Sequence, residues 1–251
     1  MKKRELPAVP NIFIAGGYKT GSTHIGLSLH RLTGLRKASC VATRGSIGDE
    51  EQRIDRPAAD ILFPMGGLIF QNHIRGSVSN LEILQEHGIR PIIVGRNVLD
   101  SLVSIRNRFN EVAVQAWRAQ PSKGWHKMTE DQQWRWLTYN VSPWFMAFYS
   151  SWYRAEIDKC YVWYEQHFKD QVKSLRSVLT FTGLLDFAEV SDEAILSCCD
   201  HTDGNLSSGP NAGQSGRGRR EIPGKWIDVI ADQARAWGKE FYRNALGGLV
   251  Q

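Results

Sequence analysis

The sequence predicts an α/β protein in which a central parallel sheet is flanked by helices. Three observations point that way. Short apolar runs recur along the chain without polar alternation, as strands buried on both faces do. Amphipathic segments with glycine stop signals follow several of them. No internal repeat and no clear linker divides the 251 residues, so the chain reads as one domain over 1–251.

The elements follow in order. Residues 1–10 are a polar leader ending at Pro10, and Asn11-Ile12-Phe13-Ile14-Ala15 is the first strand. Residues 16–23 form a glycine-bearing turn. Ile25, Leu29 and Leu32 then share one helical face, and Gly34 stops the helix. Residues 43–60 are polar and charged, a surface loop or short helix. Gly67-Leu68-Ile69-Phe70-Gln71 is a second strand, followed by a helix over 80–87 that Gly88 ends. Arg90-Pro91-Ile92-Ile93-Val94-Gly95 is a third strand, and the helix over 98–109 buries Leu99, Leu102 and Val103. Residues 111–128 read as irregular, and 129–158 as one or two helices interrupted at Pro143. Cys160-Tyr161-Val162-Trp163-Tyr164 is a fourth strand. Val172, Leu175, Val178 and Leu179 mark another helix, closed by Gly183. Residues 203–224, rich in Gly, Ser, Asn and Arg, read as a mobile loop. A last helix covers 226–245.

Composition narrows the function. Hydrophobic residues at 42% and charged residues at 23% are those of an ordinary globular protein, which excludes a disordered or cystine-stapled chain. The apolar stretch over 61–70 contains Pro64, Gly66 and Gly67, whereas a membrane span needs about 20 apolar residues. The basic start lacks an apolar signal core, so the cytoplasm is expected. Cys40 and Cys160 are isolated and Cys198 and Cys199 adjacent, the pattern of reduced thiols rather than a zinc or redox pair. His126, His167 and His201 have no metal spacing, and no metal is expected. The net charge of +5 favours anionic ligands, but no RNA- or DNA-binding motif is present, and nucleic acid is not an expected partner. Most tryptophans, including Trp134, Trp136, Trp144 and Trp152, read as packing. Trp117 and Trp125, in the irregular segment, are pocket candidates.

Two loops carry the chemistry. Gly16-Gly17-Tyr18-Lys19-Thr20-Gly21-Ser22-Thr23 leads from a strand into a helix, where backbone N–H groups and the helix dipole favour an anion. An ATP-type loop would read G-x-x-x-x-G-K-[ST]. Here Ser22 follows Gly21, and the lysine sits earlier, at position 19. Arg96 follows the third strand where a Walker B strand would offer an aspartate for magnesium, and Ser104 comes eight residues later. Arg96 offers a donor fork and Ser104 a hydroxyl to a second phosphate. Two other readings are an ATP- and magnesium-dependent kinase and a non-catalytic nucleotide-binding protein.

These residues together resemble the cytosolic-type sulfotransferase family, which uses 3′-phosphoadenosine 5′-phosphosulfate (PAPS). Tyr18 to Thr23 resembles its phosphosulfate loop, Y-P-K-S-G-T-T, without the proline. Arg96-Asn97-Val98-Leu99-Asp100-Ser101-Leu102-Val103-Ser104 resembles its 3′-phosphate motif, R-N-x-x-D-x-x-x-S, at every fixed position. Tyr164-Glu165 is similar to a Y-E pair, and Arg219-Arg220-Glu221-Ile222-Pro223-Gly224-Lys225-Trp226 to an R-K-G-x-x-G-D-W segment with Glu221 in place of glycine.

The resemblance implies a P-loop NTPase-like sulfotransferase fold, with PAPS as co-substrate and the 3′,5′-bisphosphate PAP as product. It implies that Lys19 supports the leaving phosphate. Thr20, Gly21, Ser22 and Thr23 would hold the 5′-phosphate. Arg96 and Ser104 would hold the 3′-phosphate with Arg217, Arg219 and Arg220 of the cofactor-covering loop. Tyr164 would line the adenine side, with His24 where the family often has tryptophan. His73, in Phe70-Gln71-Asn72-His73, stands at the place of the general base in K-[TS]-H, with Gln71 replacing the lysine and Asn72 the Ser or Thr. The expected acceptor is a small-molecule, carbohydrate or lipid hydroxyl or amine, and a homodimer is admitted. The acceptor pocket is expected from residues 43–66, 111–128 and 203–222.

Overall fold

The computed structural model describes residues 9–41, 52–111, 124–186, 190–200, 214–237 and 245–246. In chain order they form β1 (Ile12–Gly16), α1 (Ser22–Thr33), β2 (Arg36–Ala38), α2 (Arg56–Leu62), β3 (Leu68–Asn72), α3 (Val78–Glu86), β4 (Pro91–Gly95) and α4 (Val98–Glu111). There follow α5 (Glu130–Asn140), α6 (Ser142–Arg154), β5 (Cys160–Trp163), α7 (Tyr164–Lys169), α8 (Gln171–Thr182), α9 (Asp192–Cys199), α10 (Arg217–Glu221) and α11 (Gly224–Arg235). By contacts the chain divides into two compact units. One comprises Met1–Gly16, Thr20–Gly95 and Ala155–Gly213, and the other Gly17–Lys19, Arg96–Arg154 and Gln214–Gln251.

The first unit holds the sheet, with all five strands parallel in the order β2-β3-β1-β4-β5. Ile12, Phe13, Ile14 and Ala15 are wholly buried, as a central parallel strand covered on both faces requires. Ile12 and Ile14 join Ile69, Ile92, Val94 and Val162 in one cluster with Ile25 and Leu29 of α1, Leu175, Val178 and Leu179 of α8, and Ile195 and Cys199 of α9. On alternate positions Phe13, Phe70 and Phe63 form an aromatic cluster with centroids 5.0–6.3 Å apart. Register aligns Ala15 with Asn72 and Ile93, and Gly95 with Trp163. The chain therefore leaves β1, β3, β4 and β5 at one carboxyl edge, where open α/β sheets bind ligands.

The second unit is helical and aromatic. Thr129 and Gln132 close a capping box on α5. Pro143 is the second residue of α6, where its missing N–H costs nothing, so it separates α5 from α6 rather than breaking one helix. The sequence expectation for Trp125 is corrected here. It is wholly buried, donates its indole N–H to Asn110 Oδ1 at 2.8 Å, and meets Phe109 and Trp136 edge-on. It is core rather than pocket lining.

Three further differences have local causes. Apolar patterning shows no sign of β2, because this short edge strand exposes Arg36 and Lys37 and has no apolar run. Charged exposed residues are what an edge tolerates. Within the expected charged segment, α2 starts at Asp55, which accepts from Ala58 N at 3.2 Å. Within the expected C-terminal loop, residues 217–221 are helical. Residues 1–8, 42–51, 112–123 (with Trp117), 187–189, 201–213 (with His201), 238–244 and 247–251 lie outside the described residues.

Phe70→Ala is expected to cost about 3–5 kcal/mol in urea denaturation, since it empties a sealed aromatic site. Arg36→Ser on the exposed edge should stay within about 0.5 kcal/mol of wild type.

Candidate anion-binding and catalytic site

In the first unit the end of β1 lies close against the start of α1. A Cβ at Gly16 would lie 2.4 Å from Ser22 Cβ, so only glycine lets β1 run this close to the start of α1. Gly21 caps α1 at φ 84°, a left-handed backbone that favours glycine, and a Cβ there would lie 2.8 Å from the ring of Tyr164. Gly21 offers no capping side chain and the first turn has no acidic residue. Its backbone N–H groups suit an anion.

The neighbouring hydroxyls are oriented from β3. Gln71 donates its amide N–H groups to Thr23 Oγ1 at 3.0 Å and Ser22 Oγ at 3.4 Å. An amide NH₂ only donates, so each hydroxyl accepts there and keeps its hydrogen for an anion. Gln71 thus takes a place that the resemblance assigns to a cation, and acts as a neutral aligner. Thr20 and Ser22 are buried and Thr23 is exposed.

His73 follows β3 and is half-buried. Its Nδ1 lies 2.6 Å from the Gly16 carbonyl oxygen. A carbonyl only accepts, so the neutral ring carries its proton on Nδ1 and leaves Nε2 as the basic nitrogen. His24 and Tyr164 both approach Phe168, at 5.0 and 4.4 Å between centroids. His24 Nδ1 also lies 3.2 Å from Nε2 of the wholly buried His167. Tyr164 is itself buried and serves as the floor beneath Gly21.

In the second unit the cations gather around the start of α4. Arg96 is buried and held from four directions. The Tyr149 hydroxyl accepts from Arg96 N at 2.8 Å and donates to Arg96 O at 2.9 Å. Nη1 donates to Lys19 O and Nη2 to Gln214 O, each at 3.1 Å. Asn97 caps α4 through Leu99 N at 2.9 Å. Ser104 is half-buried, and the four-residue spacing of Asp100, Ser104 and Arg108 sets all three along one helical face.

Lys19 has φ 56°, the one positive φ outside glycine among the described residues, and the Tyr18 ring packs 4.4 Å from Trp144. Lys19 exposes part of its surface, yet desolvation pushes its ammonium below the ordinary lysine value of 10.5. Arg108 and Arg96 push the same way and Glu111 opposes them. Arg217 is buried and bound by Glu221 at 2.8 and 3.3 Å, while Arg219 and Arg220 are exposed. The residues that sequence reasoning missed are Asp100, Tyr149 and Phe168, and the hydroxyl-aligning role of Gln71 was not read from its place. Of these, Asp100 left a signal as the fixed aspartate of its motif.

Elsewhere, burial pushes the Cys40 thiol up to about 12 and also raises Cys160 and Cys199, which makes them poor nucleophiles. Among the described residues no three His, Cys, Asp or Glu side chains gather as a metal site, and no helix is long and apolar enough to cross a membrane.

No family model and no curated protein matches the chain. Among solved structures, mouse sulfotransferase SULT7A1 complexed with PAP aligns over 97% of this chain and 87% of its own, at 16% identity and a TM-score of 0.54. Retinol dehydratase in complex with androsterone and inactive cofactor PAP aligns over 99% and 84%, at 16% identity and a TM-score of 0.45. The likeness to the mouse enzyme establishes the fold: a five-stranded parallel sheet with helices, as in sulfotransferases.

The charge on Lys19 opposes folding. Between its lowered folded value and 10.5 the unfolded chain holds a proton that the folded chain has lost, so stability rises with pH across that window. Lys19→Gly is therefore expected to raise the melting temperature of the ligand-free protein, about 1–2 kcal/mol of it from backbone relief, while anion affinity falls. Thermal denaturation at several pH values checks this: the variant's advantage should narrow as pH enters the window.

Proposed function

We propose that this chain is a PAPS-dependent sulfotransferase acting on a hydroxyl or amine acceptor. The observation that carries the reading is the buried Arg96 directly after β4, with its backbone held by Tyr149 and both Nη groups held by carbonyls. A fixed guanidinium there suits a nucleotide with a second phosphate, where a magnesium-dependent kinase needs a carboxylate. The fold of the mouse enzyme supports the same reading.

On this reading the α1 amides, Thr20, Ser22 and Thr23 hold the 5′-phosphate of the co-substrate, and Arg96, Ser104, Arg219 and Arg220 the 3′-phosphate. Tyr164 and His24 flank the adenine side. His73 Nε2 takes the proton of the acceptor hydroxyl as the acceptor oxygen attacks sulfur in line. The bond between sulfur and the bridging phosphate oxygen breaks, and the 3′,5′-bisphosphate leaves. Lys19 and the α1 amides meet the charge that develops on the departing oxygen. The proton on His73 passes to solvent, which restores the base. The Gly16 carbonyl keeps the imidazole in the tautomer this needs and stabilises the imidazolium that forms. The acceptor is a small molecule, carbohydrate or lipid, and the chain works in the cytoplasm as a single sulfotransferase-like domain.

Two measurements test this. PAP at about 100 times its Kd should stabilise the protein by roughly 2.7 kcal/mol in EDTA, with little effect of ATP. Stabilisation by ATP only with magnesium would favour a kinase. His73→Asn, whose amide keeps a donor for the Gly16 carbonyl, should bind PAP as wild type does and lose about 10²–10⁴-fold in transfer from PAPS. Unchanged transfer would remove His73 as the base.

A further inference from the structure

We propose that Asp100 is a positioning residue that sets the place of the basic α10 segment, and through it the recognition of the 3′-phosphate. The inference rests on the PAPS reading above. Asp100 is 2% exposed and lies in the first turn of α4. A carboxylate there would ordinarily serve the amides of its own helix. Asn97 already caps them, and both Asp100 oxygens turn to a different element. Oδ2 accepts from Gly216 N and Oδ1 from Gly218 N, each at 2.7 Å. These are short, charge-assisted bonds with one acceptor oxygen per donor.

The partner segment is shaped for this grip. Gly216 stands at φ 78°, which favours glycine. Gly218 lies so close that a Cβ would be 2.3 Å from Leu99 Cβ and 2.6 Å from Leu99 C. Two residues before Gly216, Gln214 O receives Arg96 Nη2 at 3.1 Å. Residues 214, 216 and 218 are thus each tied to the residues that open α4, on which Arg96 and Ser104 also stand.

Five residues are too few to hold a helix by their own hydrogen bonds, so the position of α10 comes from such contacts. Arg217, between the two gripped glycines, spends its guanidinium on Glu221. Arg219 and Arg220 are the exposed cations that the same short helix presents. Where Asp100 holds Gly216 and Gly218 decides where those two charges stand.

The test compares PAP with adenosine 5′-monophosphate, which lacks the 3′-phosphate, by isothermal titration on the full chain. Wild type should prefer PAP. Asp100→Asn keeps the shape but turns one acceptor into a donor facing an N–H. It should lose at least roughly tenfold in PAP affinity with monophosphate affinity little changed, so the preference collapses. Gly218→Ala leaves the carboxylate in place and pushes α10 off Leu99; it should give the same selective loss, and serves if Asp100→Asn does not fold. Arg219→Ala/Arg220→Ala should reproduce the loss, and Asp100→Asn should add little on that background. Folded variants that keep the wild-type preference, or weaken both ligands by one factor, overturn the proposal and leave the PAPS reading standing. A wild type that binds both ligands equally overturns both, and wild type alone reveals it.

Discussion

At Gly16 the ladder of β1 gives way to a turn in a space too small for a methyl group, and the first unit's chemistry depends on that contact. Ser22 presses against the Gly16 Cα, which brings the start of α1 back over the strand end. The Gly16 carbonyl is at the same time the acceptor that fixes His73. One residue thus couples the anion-binding turn to the candidate base. The parallel register supplies the rest, because Ala15 and Asn72 pair and their successors must emerge side by side.

The second unit handles charge differently. Desolvation, with Arg108 and Arg96 nearby, disfavours the charge on Lys19, and Lys19 also occupies a left-handed backbone position. An arrangement that opposes folding in this way is relieved by an anion, which neutralises the cluster and accepts its donors. The Tyr149 hydroxyl pins the Arg96 backbone, and the carbonyls of Lys19 and Gln214 accept from its guanidinium. Carbonyl acceptors fix the direction of a guanidinium fork.

At α4, Asn97 does the capping and Asp100 faces the amides of α10. Glu221 does cancel a cation, and the one it cancels, Arg217, is buried. Arg219 and Arg220 of the same short helix are exposed. Burial within five residues separates a structural arginine from two that face solvent.

The sequence by itself determined the parallel α/β class, four of the five strands to within a residue or two at either end, and the position of the loops after β1 and β4, because each rests on local pattern: unbroken apolar runs, glycine turns and fixed spacing. It also put His73 just past the end of β3, where strand register carries a strand end to the carboxyl edge of a parallel sheet. It did not reveal β2, whose exposed edge has no apolar signature. It misread Trp125, because an indole in an irregular stretch looks alike whether sealed or open. Only the tertiary structure decided which nitrogen of His73 is basic, that Gln71 aligns two hydroxyls, that Tyr164 lies beneath Gly21, and which element Asp100 grips. Each of these is set by partners 48 to 143 residues away in sequence within one unit, and a pattern read along the chain has no period that reaches so far.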